Sequence, residues 1–195
     1  PVMRTAAPVR STTIDAPKAV TDGEVKVDTT SRRFGANSLE VSIVGGGGAI
    51  DLARLSLPLP ADWQRIVASY DVRVELPASL TGGLSLGELL CAGTTFTGVW
   101  LFWEGTPPRS VLRVDTTSAP TVGLLPAVRS SVWQRVTLEL ERGPTLLGRI
   151  RLDGEEAASG PVPDCGGAWT LELGISGRDA VTAWYDDVVA TVERP

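Results

Sequence analysis

Trp133-Gln134-Arg135-Val136-Thr137-Leu138-Glu139-Leu140-Glu141 alternates apolar and polar side chains, and Arg149-Ile150-Arg151-Leu152-Asp153-Gly154 resumes the alternation a few residues later. Side chains of an extended chain point to opposite faces in turn. Val136, Leu138, Leu140, Ile150 and Leu152 therefore share one face, and the arginines and glutamates share the other. Asp153-Gly154, directly after the second run, is a tight-turn signal. Strands that are apolar on one face and charged on the other belong to antiparallel sheets with one wet side.

The same period of two extends in both directions. Leu39, Val41 and Ile43 alternate with Glu40 and Ser42. Tyr70, Val72, Val74 and Leu76 alternate with Asp71, Arg73 and Glu75, and Trp169, Leu171, Leu173 and Ile175 with Thr170, Glu172 and Gly174. The chain has 21 glycines and 14 prolines, concentrated between these runs, as at residues 45–48, 81–83, 105–108 and 176–179. They break helices and supply turns. Residues 83–91 come nearest to an amphipathic helix, but their glycines oppose it. Residues 99–103 are apolar in both phases, which fits a central strand covered on both sides or an aromatic face lining a groove. Many strands and no convincing helix predict an all-β sandwich or barrel.

The chain of 195 residues is 43% hydrophobic and 21% charged, enough for a globular core without metal or disulfide staples. Its net charge of −5 argues against nucleic acid as a partner. No apolar run approaches the roughly 20 residues of a membrane-spanning helix. Histidine is absent, which removes the commonest general base and metal ligand and any Ser-His or Cys-His pair. Residues 1–17, rich in Pro, Thr, Ser and Ala, read as an N-terminal arm or linker, and 18–195 as a single domain. A start at Pro1 without a Met reads either as a chain whose leader has been removed or as a piece of something longer, and the arm fits a surface or periplasmic protein held away from a membrane anchor. Cys91 and Cys165 both sit beside glycines and are a candidate disulfide if the compartment is oxidising; two free thiols are the alternative.

Four segments carry a family pattern. Phe34-Gly35-Ala36-Asn37-Ser38-Leu39-Glu40-Val41 resembles a "G-x-x-S-L-x-V" strand, and Trp133–Leu138 a "W-x-x-V-x-L" strand followed by a hairpin ending in Asp153-Gly154. Leu171-Glu172-Leu173-Gly174 and Trp184-Tyr185-Asp186-Asp187-Val188-Val189 resemble a closing "l-x-l-G … y-D-D-V" pair. In this order, over about 35–192, they resemble the concanavalin A-like lectin/glucanase superfamily in its laminin-G-like, bacterial and exported branch. The resemblance implies a two-sheet antiparallel β-sandwich, a jelly roll, whose last strand returns beside an early one. It also admits lectins, glycan-cleaving enzymes and protein-interaction modules, so function needs a site of its own.

Glycan hydrolysis needs two carboxylates about 5–10 Å apart. Glu139 and Glu141 share a strand face, but Arg135, Arg149 and Arg151 share it too, which favours a solvated charge lattice. The histidine-dependent lyase motifs are missing. Gly83-Leu84-Ser85-Leu86-Gly87 matches a nucleophile elbow as text only, because that device needs a helix and a histidine. The six tryptophans are the more informative feature. Indole stacks on sugar C–H faces, and it also fills sandwich cores. Trp100, Phe102 and Trp103 form the densest aromatic cluster and are the candidate ligand-binding residues. In relatives, an Asp at the position of Asp186 binds backbone groups or a structural Ca²⁺; Asp15, Asp22 or Glu24 would supply further oxygens. The expectation is a non-catalytic carbohydrate-binding module of an exported protein (extracellular, cell-surface or periplasmic), with a polysaccharide or surface glycan as partner, contacted by aromatic stacking on a concave sheet or in an edge groove. The alternative is a structural or adhesive domain that binds protein or its own copies.

Overall fold

The structure, a computed structural model, describes residues 18–45, 50–77, 84–91, 98–104, 109–114, 121–124 and 129–195; side chains are described for 22–45, 50–77, 84–91 and 129–195. The arm expected at 1–17 lies outside the described residues. In chain order the strands are β1 Lys18–Thr21, β2 Gly23–Asp28, β3 Ser38–Ile43, β4 Asp51–Pro58, β5 Arg65–Glu75, β6 Ser85–Cys91 and β7 Gly98–Glu104. They continue with β8 Arg109–Val114, β9 Thr121–Leu124, β10 Gln134–Arg142, β11 Leu146–Leu152, β12 Glu155–Pro161, β13 Trp169–Gly177 and β14 Val181–Glu193. The described residues contain no helix.

Two sheets form, each of seven strands among the described residues. Sheet I runs β1-β4-β13-β6-β7-β8-β9, and sheet II runs β12-β11-β10-β5-β14-β3-β2. Every paired neighbour is antiparallel. The last strand, β14, lies between the early strands β5 and β3. This is the all-β, two-sheet antiparallel β-sandwich expected from the alternation.

The β10–β11 hairpin shows why the pattern works. Val136 opposes Leu152 and Leu138 opposes Ile150, and all four are buried. Asp153 and Gly154 both take positive φ (51° and 89°), the geometry an Asp-Gly turn supplies between β11 and β12. Inward side chains of both sheets meet in one core. Trp63 and Trp169 pack edge to face with ring centroids 6.1 Å apart. Tyr70 of β5 and Tyr185 of β14 lie 5.7 Å apart. Each large apolar side chain so buried contributes roughly 1.5–3 kcal/mol. Tyr185 Oη lies 2.6 Å from the Leu86 carbonyl oxygen and 2.9 Å from that of Gly174, and donates its proton to this pair. Those carbonyls come from an irregularity in the β6–β13 pairing between Leu173 and Ser176. Tyr70 Oη fits only because residue 87 is glycine: a Cβ there would lie 2.3 Å from it.

Of two local readings, the first agrees with the structure and the second does not. Most of the segment 83–91 is strand β6, as its glycines already argued against a helix. Asp186 shares its sequence phase with Val188, Ala190 and Val192, which predicts a side chain facing inward at a sheet edge. Instead β14 is flanked on both sides, and an irregularity between Asp186 and Val189 breaks the phase. Tyr185 therefore enters the core while Asp186 lies opposite Asp71 on the polar face. Cys91, at the end of β6, is bonded to Cys165 in the segment before β13, with Cα atoms 6.3 Å apart.

Candidate functional site

Each sheet carries a polar assembly on its outer face. On sheet II the centre is Glu139, only 1% exposed. Arg65 Nε (3.0 Å) and Arg149 Nη1 (2.9 Å) donate to its Oε1, and Arg151 Nη1 (3.2 Å) donates to its Oε2. Arg149 also bonds Glu141 at 2.8 Å. Together with Gln64 and Glu193 these residues line an open depression. Burial raises the Glu139 pKa, but the guanidinium groups of Arg65, Arg149 and Arg151 outweigh it and hold the carboxyl below the ordinary glutamate range. Glu139 is thus a fixed anion and a poor proton donor. The expected pairing of Glu139 and Glu141 with Arg149 and Arg151 is present, but Glu139 is buried rather than solvated and Arg135 lies outside the cluster.

Further along the same face Asp71 is fully buried between Arg33 (2.6 Å) and Arg135 (3.1 Å). Its burial outweighs these arginines and raises its pKa. Arg135 also pairs with Asp187. Asp186 Oδ2 accepts the backbone N–H groups of Arg33 and Phe34, both at 2.8 Å, and Oδ1 accepts that of Asp187 at 2.7 Å. Both carboxylate oxygens of Asp186 therefore hold backbone, tying the segment after β2 to the sheet. Asp15 lies outside the described residues. Among the described residues no three His, Cys, Asp or Glu side chains gather in a metal-binding group.

The assembly on sheet I joins three strands, and one of its buried carboxylate oxygens accepts no hydrogen bond. Glu172 of β13 stands opposite Ser56 of β4 on one side and Glu88 of β6 on the other. Their neighbours Leu171 and Leu89 point into the core, so alternation puts Glu172 and Glu88 on the outer face. Two glutamates directly opposed repel each other. Arg54, one strand away, relieves this: its Nη1 contacts Glu172 Oε2 and lies 3.9 Å from Glu88 Oε2. Ser56 Oγ donates to Glu172 Oε1 at 3.2 Å, and Ser85 Oγ donates to Glu88 Oε1. Glu88 Oε2 is buried without a hydrogen-bond partner. Burial raises the Glu88 pKa, opposed in part by the Ser85 hydroxyl and the Arg54 charge. An arginine, two carboxylates and two hydroxyls in one row make a surface that can both donate to and accept from a polar ligand.

The row continues in backbone register onto the next strands. Glu88 stands opposite Trp100 on β7, and Trp100 opposite Arg113 on β8. The side chains of Trp100, Phe102 and Trp103 lie outside the described residues. Among the other tryptophans, Trp63 and Trp169 are core. Trp184 is half-buried on sheet II, its Nε1 donating to Glu40 at 3.2 Å and its ring under Arg73. Sequence reasoning missed Arg54, Glu88 and Glu172 as a group. Glu172 sat visibly on the polar phase of its strand, but its pairing with residues 84 and 118 positions earlier leaves no local signal.

No family model matches the chain, and no curated protein matches it. Solved structures do match. An endo-β-1,4-glucuronan lyase from the fungus Trichoderma reesei superposes with a TM-score of 0.66 at 12% identity, covering 89% of this chain and 90% of that one. The cellulose induced protein Cip1 gives 0.64 at 16% identity, with 90% of each chain covered. An alginate lyase, Aly36B, solved with an alginate trisaccharide, gives 0.60 at 11% identity over 80% of this chain and 82% of that one. At such identities the likeness is one of fold, and the chain shares with these proteins the two-sheet jelly-roll β-sandwich.

Proposed function

We propose that this chain is a non-catalytic carbohydrate-binding module of an exported or cell-surface protein, with its glycan site on the outer face of sheet I. The observation that carries the reading is the Arg54–Glu172–Glu88 row, in which a buried Glu88 oxygen accepts no hydrogen bond and Glu88 is the backbone register partner of Trp100. Sugar rings present C–H faces to an indole and hydroxyl edges to paired carboxylates and guanidinium groups; the row supplies the charged groups, and Trp100 is the backbone register partner of Glu88. The fold neighbours include proteins named for acting on glucuronan and alginate, which supports a carbohydrate role. The Cys91–Cys165 bond supports an oxidising compartment. A non-catalytic role fits carboxylates that are already engaged: Glu139 by three arginines and Glu172 by Arg54. The structural or adhesive alternative has less support, because the edge strand β2 displays Glu24, Lys26 and Asp28, charges that discourage strand addition.

Tryptophan fluorescence titrated with a panel of soluble polysaccharides tests this. One polymer class is expected to give a saturable shift, weakened about tenfold or more in Arg54→Ala and in Trp100→Ala. The bound polymer is expected to show no new reducing ends; their release would make the chain an enzyme. Silence across the panel would move the assignment to the adhesive reading. No cofactor enters the proposal. With both oxygens of Asp186 accepting amide protons, melting in EGTA and in added Ca²⁺ is expected to coincide, and a clear rise with Ca²⁺ would assign a metal there.

A further inference from the structure

We propose that the row on sheet I selects neutral glycans, reading pairs of hydroxyl groups, and discriminates against uronates. The inference rests on the sheet I site proposed above and adds the class of ligand. It begins from the charge of the described row. Arg54 is its only described cation, and it already contacts Glu172 and stands 3.9 Å from Glu88. Two carboxylates thus share one guanidinium, so the described side chains of the row hold no uncompensated positive charge for a ligand carboxylate. A uronate placed over the row meets two like charges a few ångströms away, and like-charge juxtaposition is an effective device for rejecting a ligand. The long-range field points the same way, since the whole chain carries −5.

The unmet need of the site is that of a carboxylate. Glu88 is 4% exposed, and its Oε2 has no hydrogen-bond partner. A buried acceptor of this kind gains most from a ligand that brings a proton. A sugar hydroxyl does so at no cost in charge, and its oxygen can in turn accept from Arg54. Ser56 and Ser85 already bond Glu172 and Glu88 as hydroxyls, so the site shows on its own side chains the pairing inferred for the ligand. This sets the chain apart from fold neighbours named for glucuronan and alginate, both polyuronates.

The experiment uses pairs of oligosaccharides with one backbone and two charges. Cello-oligosaccharide is compared with β-1,4-linked oligoglucuronate, and β-1,4-manno-oligosaccharide with oligomannuronate, by calorimetry on the full chain at neutral pH and low salt. The neutral member of the binding pair is expected to bind about tenfold or more tighter than its uronate. Glu172→Gln and Glu88→Gln, checked for folding by thermal melting, are expected to narrow that ratio by strengthening uronate binding. Equal or tighter binding of the uronate by the parent chain would overturn the inference while leaving the binding module standing. Loss of that uronate binding in Arg113→Ala would then name the cation responsible. A preference that both glutamine variants leave unchanged would also overturn it, because the discrimination would lie elsewhere. Failure of every oligosaccharide, neutral and charged, would remove the glycan reading itself.

Discussion

Gly174→Ala is expected to destabilise the chain by about 3 kcal/mol or more, from left-handed strain and overpacking together. Gly174 has a φ of +151°, and a Cβ there would lie 2.1 Å from the Ala53 carbonyl oxygen and 2.6 Å from Arg54 Cα. Those atoms are backbone of the adjacent strand, so no rotamer change relieves the clash. Two further features depend on the same spot. The Gly174 carbonyl faces Tyr185 Oη in the core, and Gly174 is the register partner of Arg54. Pushing β4 away would disturb both the buried hydroxyl and the guanidinium between Glu172 and Glu88, so glycan binding should fall along with stability. Urea unfolding measures the first effect and the fluorescence titration the second. Gly154→Ala is the control: its φ is +89° but its surroundings are open, so it should cost only about 1–2 kcal/mol. Equal losses in the two variants would show that the close approach of β4 to β13 is unimportant.

Reduction of the Cys91–Cys165 bond is the second large effect. The two residues are 74 apart in sequence, and closing a loop of that length stabilises by about 4 kcal/mol through the entropy of the unfolded chain. For a chain of this size that corresponds to a fall in Tm of about 10 °C. The location adds a packing reason. Cys91 stands opposite Trp169, whose ring meets Trp63, so the bond fastens the segment before β13 against the aromatic end of the core. The Cys91→Ser/Cys165→Ser variant and the reduced parent chain should melt alike, and both well below the oxidised chain. A parent chain whose melting ignores reductant, with two thiols titrating after denaturation without reductant, would remove the covalent link and with it the main support for an oxidising compartment.

These predictions differ in how far the sequence alone could have supplied them. The hairpin from Gln134 to Leu152 was legible because its determinants are local. Alternation fixes which side chains face the core, and Asp153-Gly154 fixes the turn. The charge lattice was legible for the same reason: Glu139, Glu141, Arg149 and Arg151 belong to one hairpin. Arg65 was not, since it reaches Glu139 from a strand 74 positions away. The reading of Asp186 failed at one residue, where a break in the β14 pairing shifted the phase that the pattern assumed to be continuous.

The sequence by itself determined an all-β chain, its main strands, the inward residues of most of them, and the absence of histidine chemistry. It did so because period-two patterning, turn residues and composition act over a few neighbours at a time. Only the tertiary structure decided that β13 lies between β4 and β6, and so that Arg54, Glu88 and Glu172 meet on one face. Strand order across a sheet is set by which apolar faces close the core together, and that depends on contacts between residues far apart in the chain. The candidate site is a by-product of that closure: three charged residues, each ordinary on its own strand, become a row when the sandwich forms.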